Sequence, residues 1–546
     1  MKKLLAIALA AIMVLSLFAA CTPAGPQGTQ GTQGTEGTKG TEADVTVKYP
    51  IDTNVTLTMF RGQNNNITSH FDSFGDTPVG KYLSKASGIN VVYHDKYTDQ
   101  EAAWTDMLST GAFTDMISFN AVNYEGGAVD VLADGLGIEL NDVIDKYMPN
   151  FKAFLAAHPE VDSEIKTDDG IYYYIPYINS NTGAYSHGSY YRADLLAEMG
   201  EKEPTTMEGW YNLLKKVNEK YPDMIPYSTT WENIHRQGMF AMAYGVGGNS
   251  TSNDFDVVNG EVRYQRSSDA WKAYMKEMNK WYKEGLIDVD VFAIASGDVN
   301  AKMISGKVFM MTSWLSAMQN NQIGGRKQNE KFQLKAVGTP ALKEGQAIEY
   351  GYATKLISGV GTTISSACQN VEMAARFLDY LFSEEGHLAA NYGEPGVGYD
   401  MVDGAPTFHD DVVVTPPEGY NQSQSAARYS AATTGAMAMV KHEDYYPQLM
   451  AEKCAREAIY IWQAAAVGGG HMHELPLLTL DEDEAENVAG SMADIKTLST
   501  EWAAKFIKGE KDAEADWAEY IAALEALKLA DVTESLNSAF DRYADR

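Results

Sequence analysis

Apolar and polar residues alternate in NVTLTMF (54–60), the two-residue period of a half-buried strand. TPVGKYLSKASGINVVYH then shifts to a helical spacing, stops at Gly88 and returns to a strand, INVVYH. EAAWTDMLSTG predicts a helix closed by Gly111, and TDMISFN a third strand. Strand, helix, strand, helix, strand predicts a parallel or mixed sheet with helices on its faces. GIELNDVIDKYMPNFKAFLAAHP continues as helix and loop, and the Tyr- and Gly-rich GIYYYIPYINSNTGAYSHGSYYRADLL reads as strands ending in a helix. TMEGWYNLLKKVNEKY and DAWKAYMKEMNKWYKEGL carry helical stripes, and FDVVNGEVRY folds back at Asn259-Gly260. GKVFMMTSW and FQLKAVGTPAL are two more strands. NVEMAARFLDYLFSEEGHLAANYG predicts an amphipathic helix broken at Gly386, and from about Leu480 the chain is helical and acidic.

The first fifty residues follow neither period. Lys2 and Lys3 precede an apolar run, Leu4 to Leu17, which ends in Ala19, Ala20 and Cys21. This is the layout of a secretory signal, too short for a comfortable membrane span. LFAAC resembles the bacterial lipobox, with Phe18 standing where leucine is usual, so Cys21 is the expected lipidation site. From Gly25 to Gly40 glycine occupies every third position, the collagen spacing. The triplets hold one proline, Pro26, and threonine elsewhere, which supports no triple helix. Such a composition buries no core, so residues 21–50 are expected to be a tether, with a typical reach of about 30 Å.

Charge and length narrow the function. Lys plus Arg is 43 against 74 Asp plus Glu, a net −31 that opposes nucleic acid and anionic lipid. A chain of 546 residues suffices for two lobes, and three cysteines exclude a disulfide framework. Cys368 and Cys454 could pair but read as two buried thiols. No GxSxG elbow or Walker A motif is present, and GVGGNS and GVGTTI are too weak to mark a nucleotide site.

Several stretches, in this order, resemble one family across nearly the whole chain after the tether. They are TPVGKYLSKASGINVVYH, LSTGAFTDMISFN, YYRADLLAEMGEKEPTTMEGWYNLLKKV, MNKWYKEGLID, FLDYLFSEEGHLAANYGEPGVGY and KFIKGEKDAEADWAEYIAALEAL with AFDRY. Together they resemble the bacterial extracellular solute-binding proteins of family 1, in the lipoprotein branch linked to carbohydrate ABC importers. Thr114 stands where that family commonly has proline. The resemblance implies an α/β, two-lobed type II periplasmic-binding-protein fold with an interlobe cleft and a helical C-terminal extension. It places a signal peptide at 1–20, the tether at 21–50, lobe one at 51–178 and 332–392, and lobe two at 179–331 and 393–546. It implies a monomer on the extracellular face of the membrane of a Gram-positive bacterium, held by the lipid on Cys21. That monomer would deliver an oligosaccharide to an ABC permease, with no nucleic acid, cofactor or catalysis involved.

Sugars are held by aromatic faces and planar hydrogen-bonding groups, and open α/β sheets bind ligands beyond the carboxyl ends of strands. That rule selects Arg61, Asn120, Tyr124, Trp231, Trp314 and Tyr399, with Tyr177 from the tyrosine cluster. Trp231 and Trp314 also fall where family members commonly place cleft aromatics. Trp210, Trp271, Trp281, Trp502 and Trp517 lie on helical stripes and read as core, and Arg192 with Asp194 as a structural helix start. His471, His473 and Glu474 in GGGHMHELP have metal-ligand spacing, but no HExxH helix or third ligand accompanies them, so a Gly-rich loop is the expectation. LDEDEAE reads as an acidic helix start. Two rival functions remain on the sequence: a surface-anchored polysaccharide hydrolase, and a ligand sensor or peptide binder with the same fold.

Overall fold

The computed structural model describes residues 47–546 apart from 125, 180–185, 248–253, 353, 434 and 468–470. Cys21, the signal and the tether up to residue 46 lie outside the described residues, as does Tyr185 of the tyrosine cluster. Fourteen strands follow in order: β1 (Thr56–Phe60), β2 (Asn90–His94), β3 (Met116–Asn120), β4 (Ile175–Asn179), β5 (His187–Arg192), β6 (Ile225–Ser228), β7 (Phe255–Val258), β8 (Glu261–Tyr264), β9 (Val308–Trp314), β10 (Leu334–Val337), β11 (Ile357–Ile364), β12 (Tyr399–Val402), β13 (Ala405–Phe408) and β14 (Met439–Lys441). They build a six-stranded sheet, β14-β4-β11-β3-β1-β2, and a four-stranded sheet, β10-β5-β9-β6. Two hairpins, β7-β8 and β12-β13, complete the set.

The opening unit forms as its sequence dictates. β1 lies parallel to both β2 and β3, with the helix Pro78–Ser87 between β1 and β2. Thr77 caps that helix, Pro78 fills its first turn and Gly88 ends it at φ +78, where a left-handed residue satisfies the last carbonyls. β11 enters antiparallel between β3 and β4, making the sheet mixed. Its register slips between Ile357 and Gly361. In the second sheet, residues 308–313 of β9 are buried without alternation, as expected of a strand covered on both faces. The helix Asp269–Lys283 brings Trp271 and Trp281 into the core on one side, and Trp210, Trp502 and the partly buried Trp517 pack into the same cluster. The acidic run caps the helix Glu482–Lys508 through a reciprocal Asp481–Glu484 box. Among the described residues no helix is long and apolar enough to cross a membrane.

Three expectations change in detail. β10, within 332–392, pairs with β5 in the four-stranded sheet, and β14, within 393–546, pairs with β4 in the six-stranded one. Backbone pairing, which a local pattern does not encode, decides both assignments. The stretch 370–393 forms two helices, Val371–Tyr380 and Glu384–Tyr392, and the break is not at Gly386. Ser383 starts the second helix by accepting the Gly386 N–H at 3.0 Å, so Gly386 sits in that helix's first turn. Cys368 and Cys454 are free thiols, the first buried and the second only half-buried.

Candidate ligand-binding site

A cavity of about 710 Å³ opens beyond the carboxyl ends of β1 and β3. β1 delivers Phe60 to it, and the turn after β1 delivers Gln63 and Asn64. β3 delivers Phe119 and Asn120, and the short helices beyond it deliver Tyr124, Asp130 and Asp134. Gln100, Trp104 and Leu108 come from the helix Gln100–Thr110, which Asp99 caps. Val360 of β11 and the segment Gly435-Ala436 close the remaining sides.

Aromatic rings form one wall. The Trp104 and Phe119 rings stack at 5.8 Å between centroids, and Tyr124 stands edge-on to them at 6.4 and 6.1 Å. Phe60 packs against Trp104 at 5.7 Å and is backed by Tyr97 at 5.2 Å. Trp104 stays half-buried, because Met107 is the one buried residue of its helix. The polar lining is carboxylate and amide: the Tyr124 hydroxyl donates to Asp134 at 2.6 Å, and Gln63, Asn64, Gln100 and Asn120 supply both donors and acceptors. Flat apolar faces interleaved with planar hydrogen-bonding groups suit a polyhydroxylated ring, which presents C–H on its faces and O–H at its rim.

A second aromatic group stands at the carboxyl end of β9. Trp314 is 48% exposed, the one tryptophan among the large exposed hydrophobic residues described. His187, its register partner on β5, meets the ring edge-on at 5.0 Å, and Tyr352 does so at 5.8 Å. A Trp314→Ala variant is expected to lose about tenfold in affinity for a ligand that stacks on this ring. Because the ring is half exposed, its unfolding free energy should change by less than about 1 kcal/mol. Calorimetric titration and thermal unfolding check the two halves, and unchanged affinity would remove Trp314 from the site.

Full burial pushes His187 from its ordinary value of 6.5 down to about 4, so the imidazole behind Trp314 is neutral at physiological pH. The unfolded chain takes up that proton below about 6.5 and the folded protein does not. This residue's contribution to stability is therefore whole above about 6.5 and lost as the pH falls toward about 4. In urea unfolding at pH 7 and pH 4.5, wild type should lose about 2 kcal/mol more on acidification than His187→Gln. Parallel pH profiles would contradict the assignment.

The candidates read from the sequence divide between these places and the core. Asn120 and Tyr124 line the cavity, and Trp314 stands at its own strand end. Trp231 is half-buried, stacked on His235 at 4.6 Å and tilted against Phe292 at 5.0 Å. Arg61 is fully buried with its guanidinium 4.2 Å from the Phe74 ring centroid, so it braces the interior and does not line the cavity. Tyr177, midway along β4 of the six-stranded sheet, is 6% exposed, and its hydroxyl reaches the Ala432 carbonyl at 3.4 Å. Tyr399 is buried at the start of β12 against Tyr392, beside a separate cavity. The strand-end rule points to the ends of β1 and β3, where a cavity lies, but it does not say which way each side chain turns. It misses Trp104, which lies in mid-helix; the one signal there is a large aromatic on a helix otherwise nearly free of buried residues.

The remaining sequence motifs resolve into structural contacts. His471 pairs with Glu474, while His473 bonds Glu349 at 2.8 Å and the Val257 carbonyl at 3.0 Å. Among the described residues no group of three or more His, Cys, Asp or Glu is placed to hold a metal ion. Arg192 grips Asp194 through two bonds of 2.8 and 2.6 Å and lies over Phe332 at 4.1 Å.

Comparisons with known proteins point the same way. The family described as bacterial extracellular solute-binding protein matches residues 72–388. The fructooligosaccharide ABC transporter substrate-binding protein FusA of Streptococcus pneumoniae is 24% identical over 334 residues, 58% of this chain and 59% of that protein. Lipoprotein LipO of Bacillus subtilis is 24% identical over 228 residues, 39% of this chain and 44% of that protein. The alignments thus span less than two thirds of either relative. Among solved structures, the alginate-binding protein AlgQ2 superposes with a TM-score of 0.71 at 23% identity, over 91% of this chain and 100% of that one. FusA of S. pneumoniae in complex with kestose does so with a TM-score of 0.69 at 19% identity, over 90% and 100%. These likenesses establish a two-lobed α/β binding-protein fold.

Proposed function

The chain belongs to the bacterial extracellular solute-binding proteins, and on that footing we propose that it captures an oligosaccharide between two lobes and hands it to an ABC permease. The cavity at the ends of β1 and β3, walled by Trp104, Phe119 and Tyr124 and rimmed with amides and carboxylates, carries this reading. On this reading the six-stranded sheet is the frame of the first lobe and the four-stranded sheet that of the second. Sugar rings stack on the Trp104 wall and meet Trp314 when the lobes close. Closure follows from contacts to both lobes, since only a ligand that binds the closed form better shifts the equilibrium. The FusA and LipO names, with LFAAC ending on Cys21, support a lipid-anchored importer component on the outer face of the membrane. The sugar is bound and released unchanged.

A thermal-shift screen of the protein against neutral mono- and oligosaccharides tests this. A ligand at 100 times its Kd stabilises by about 2.7 kcal/mol. The expected result is at least one stabilising oligosaccharide, recovered intact by mass spectrometry. Recovery of a cleaved sugar would establish a hydrolase instead, and silence across the panel would discard neutral carbohydrate as the ligand.

A further inference from the structure

We infer that the cavity admits uncharged sugar units and excludes uronates, with Asp130 and Asp134 as the residues that set this preference. The inference rests on the oligosaccharide reading and adds the charge class of the ligand. Among its described lining residues the cavity holds two carboxylates and no Lys, Arg or His, and the undescribed residues 125 and 434, next to lining residues, are Glu125 and Thr434. Arg61, adjacent in sequence to the lining residue Phe60, is buried over Phe74 instead.

Both carboxylates have close neighbours in the structure. Asp134 accepts the Tyr124 hydroxyl at 2.6 Å. Asp130 lies directly over Gly126, where an added Cβ would fall 1.8 Å from its Oδ2, so any larger residue there would displace it. Asp130 and Asp134 are four residues apart, one helical turn, and face the same cavity. A carboxylate only accepts hydrogen bonds, and sugar hydroxyls donate them, so a neutral ring is well served. A uronate brings a third negative charge beside these two and finds no cation among the described lining residues to pair with. Like charges so placed repel even through solvent-like dielectric, and a carboxylate moved into the cavity without a partner also loses its hydration.

The test compares kestose, maltotriose, cellotriose and mannotriose with trigalacturonate and a mannuronate trimer, by titration calorimetry at pH 7. At least one neutral trisaccharide should bind, with both uronates weaker by about thirtyfold or more. In an Asp130→Asn, Asp134→Asn double variant, the ratio of uronate to neutral affinity should rise about tenfold. That variant changes the net charge from −31 by only two units, so a shift in the ratio reports the local carboxylates and not the field of the whole protein. Asp134 is exposed and Asp130 half-buried, and thermal unfolding of the variant confirms that it folds. A uronate that binds as tightly as the neutral sugars overturns the charge preference and leaves the oligosaccharide reading intact. An unchanged ratio in the variant overturns the role of Asp130 and Asp134. Binding by neither set of sugars overturns the oligosaccharide reading, and this inference with it.

Discussion

A Trp104→Ala variant should bind the proposed oligosaccharide ligand about thirtyfold more weakly than wild type, a loss of about 2 kcal/mol, while remaining folded. Trp104 is the centre of the aromatic wall: it touches Phe60, Phe119 and Tyr124, and removing it takes away the largest flat face that a sugar ring could cover. The fold depends on it much less. It is half-buried on a helix whose single buried residue is Met107, so the indole is supported by the lobe more than it supports it. Trp104→Phe keeps a ring in place and should recover most of the loss. Calorimetric titration of the three proteins with one ligand decides the matter. Equal affinities would move the binding surface away from the end of β3.

The second large effect is on stability and leaves binding alone. Gly386→Ala should lower the unfolding free energy by about 3 kcal/mol, measured by urea denaturation. A Cβ on Gly386 would lie 1.7 Å from the Tyr380 carbonyl oxygen and 2.6 Å from its carbon. Those are backbone atoms at the end of the preceding helix, so no side chain can swing aside to make room. The turn between the two helices would have to open, and the Ser383 cap of the second helix would go with it. Gly386 does not line the Trp104 cavity, so ligand affinity measured on the folded variant should match wild type. A Gly386→Ala protein as stable as the parent would mean that the two helices approach less closely than the structure shows.

The Gly386 result also shows where the sequence stops being informative. A glycine inside an apolar helical stripe reads as a break, because local propensity is all that a single sequence displays. In the fold it is a point of close approach, and the break is set by the cap at Ser383, three residues earlier. Local signals elsewhere were sufficient. The stop at Gly88, the Asn259-Gly260 hairpin and the acidic helix start at LDEDEAE all formed as their sequences predict, since each is settled within a few residues. Sheet membership was harder: β10 and β14 pair with strands about 140 and 260 residues away, and no local pattern specifies the partner.

The binding site lies between these extremes. The cavity proposed as that site lies at the ends of β1 and β3, where the strand pattern and the rule for open sheets had placed Asn120 and Tyr124. Arg61 obeyed the same rule yet turned into the interior, because the residue just past a strand can leave on either face, whereas Tyr399 opens β12 and follows no strand end. Trp104 and Gln100 enter from the side, on a helix that no strand-end rule reaches. Asp130 and Asp134 were hidden among 74 acidic residues until the fold placed them in one cavity.

The most direct test is a crystal structure of the protein grown with a stabilising oligosaccharide. Sugar density stacked on Trp104 and Phe119, within hydrogen-bond reach of Asp130 or Asp134, is the expected result. Density elsewhere, as in the cavity beside Tyr399, with the Trp104 wall left bare, would contradict it.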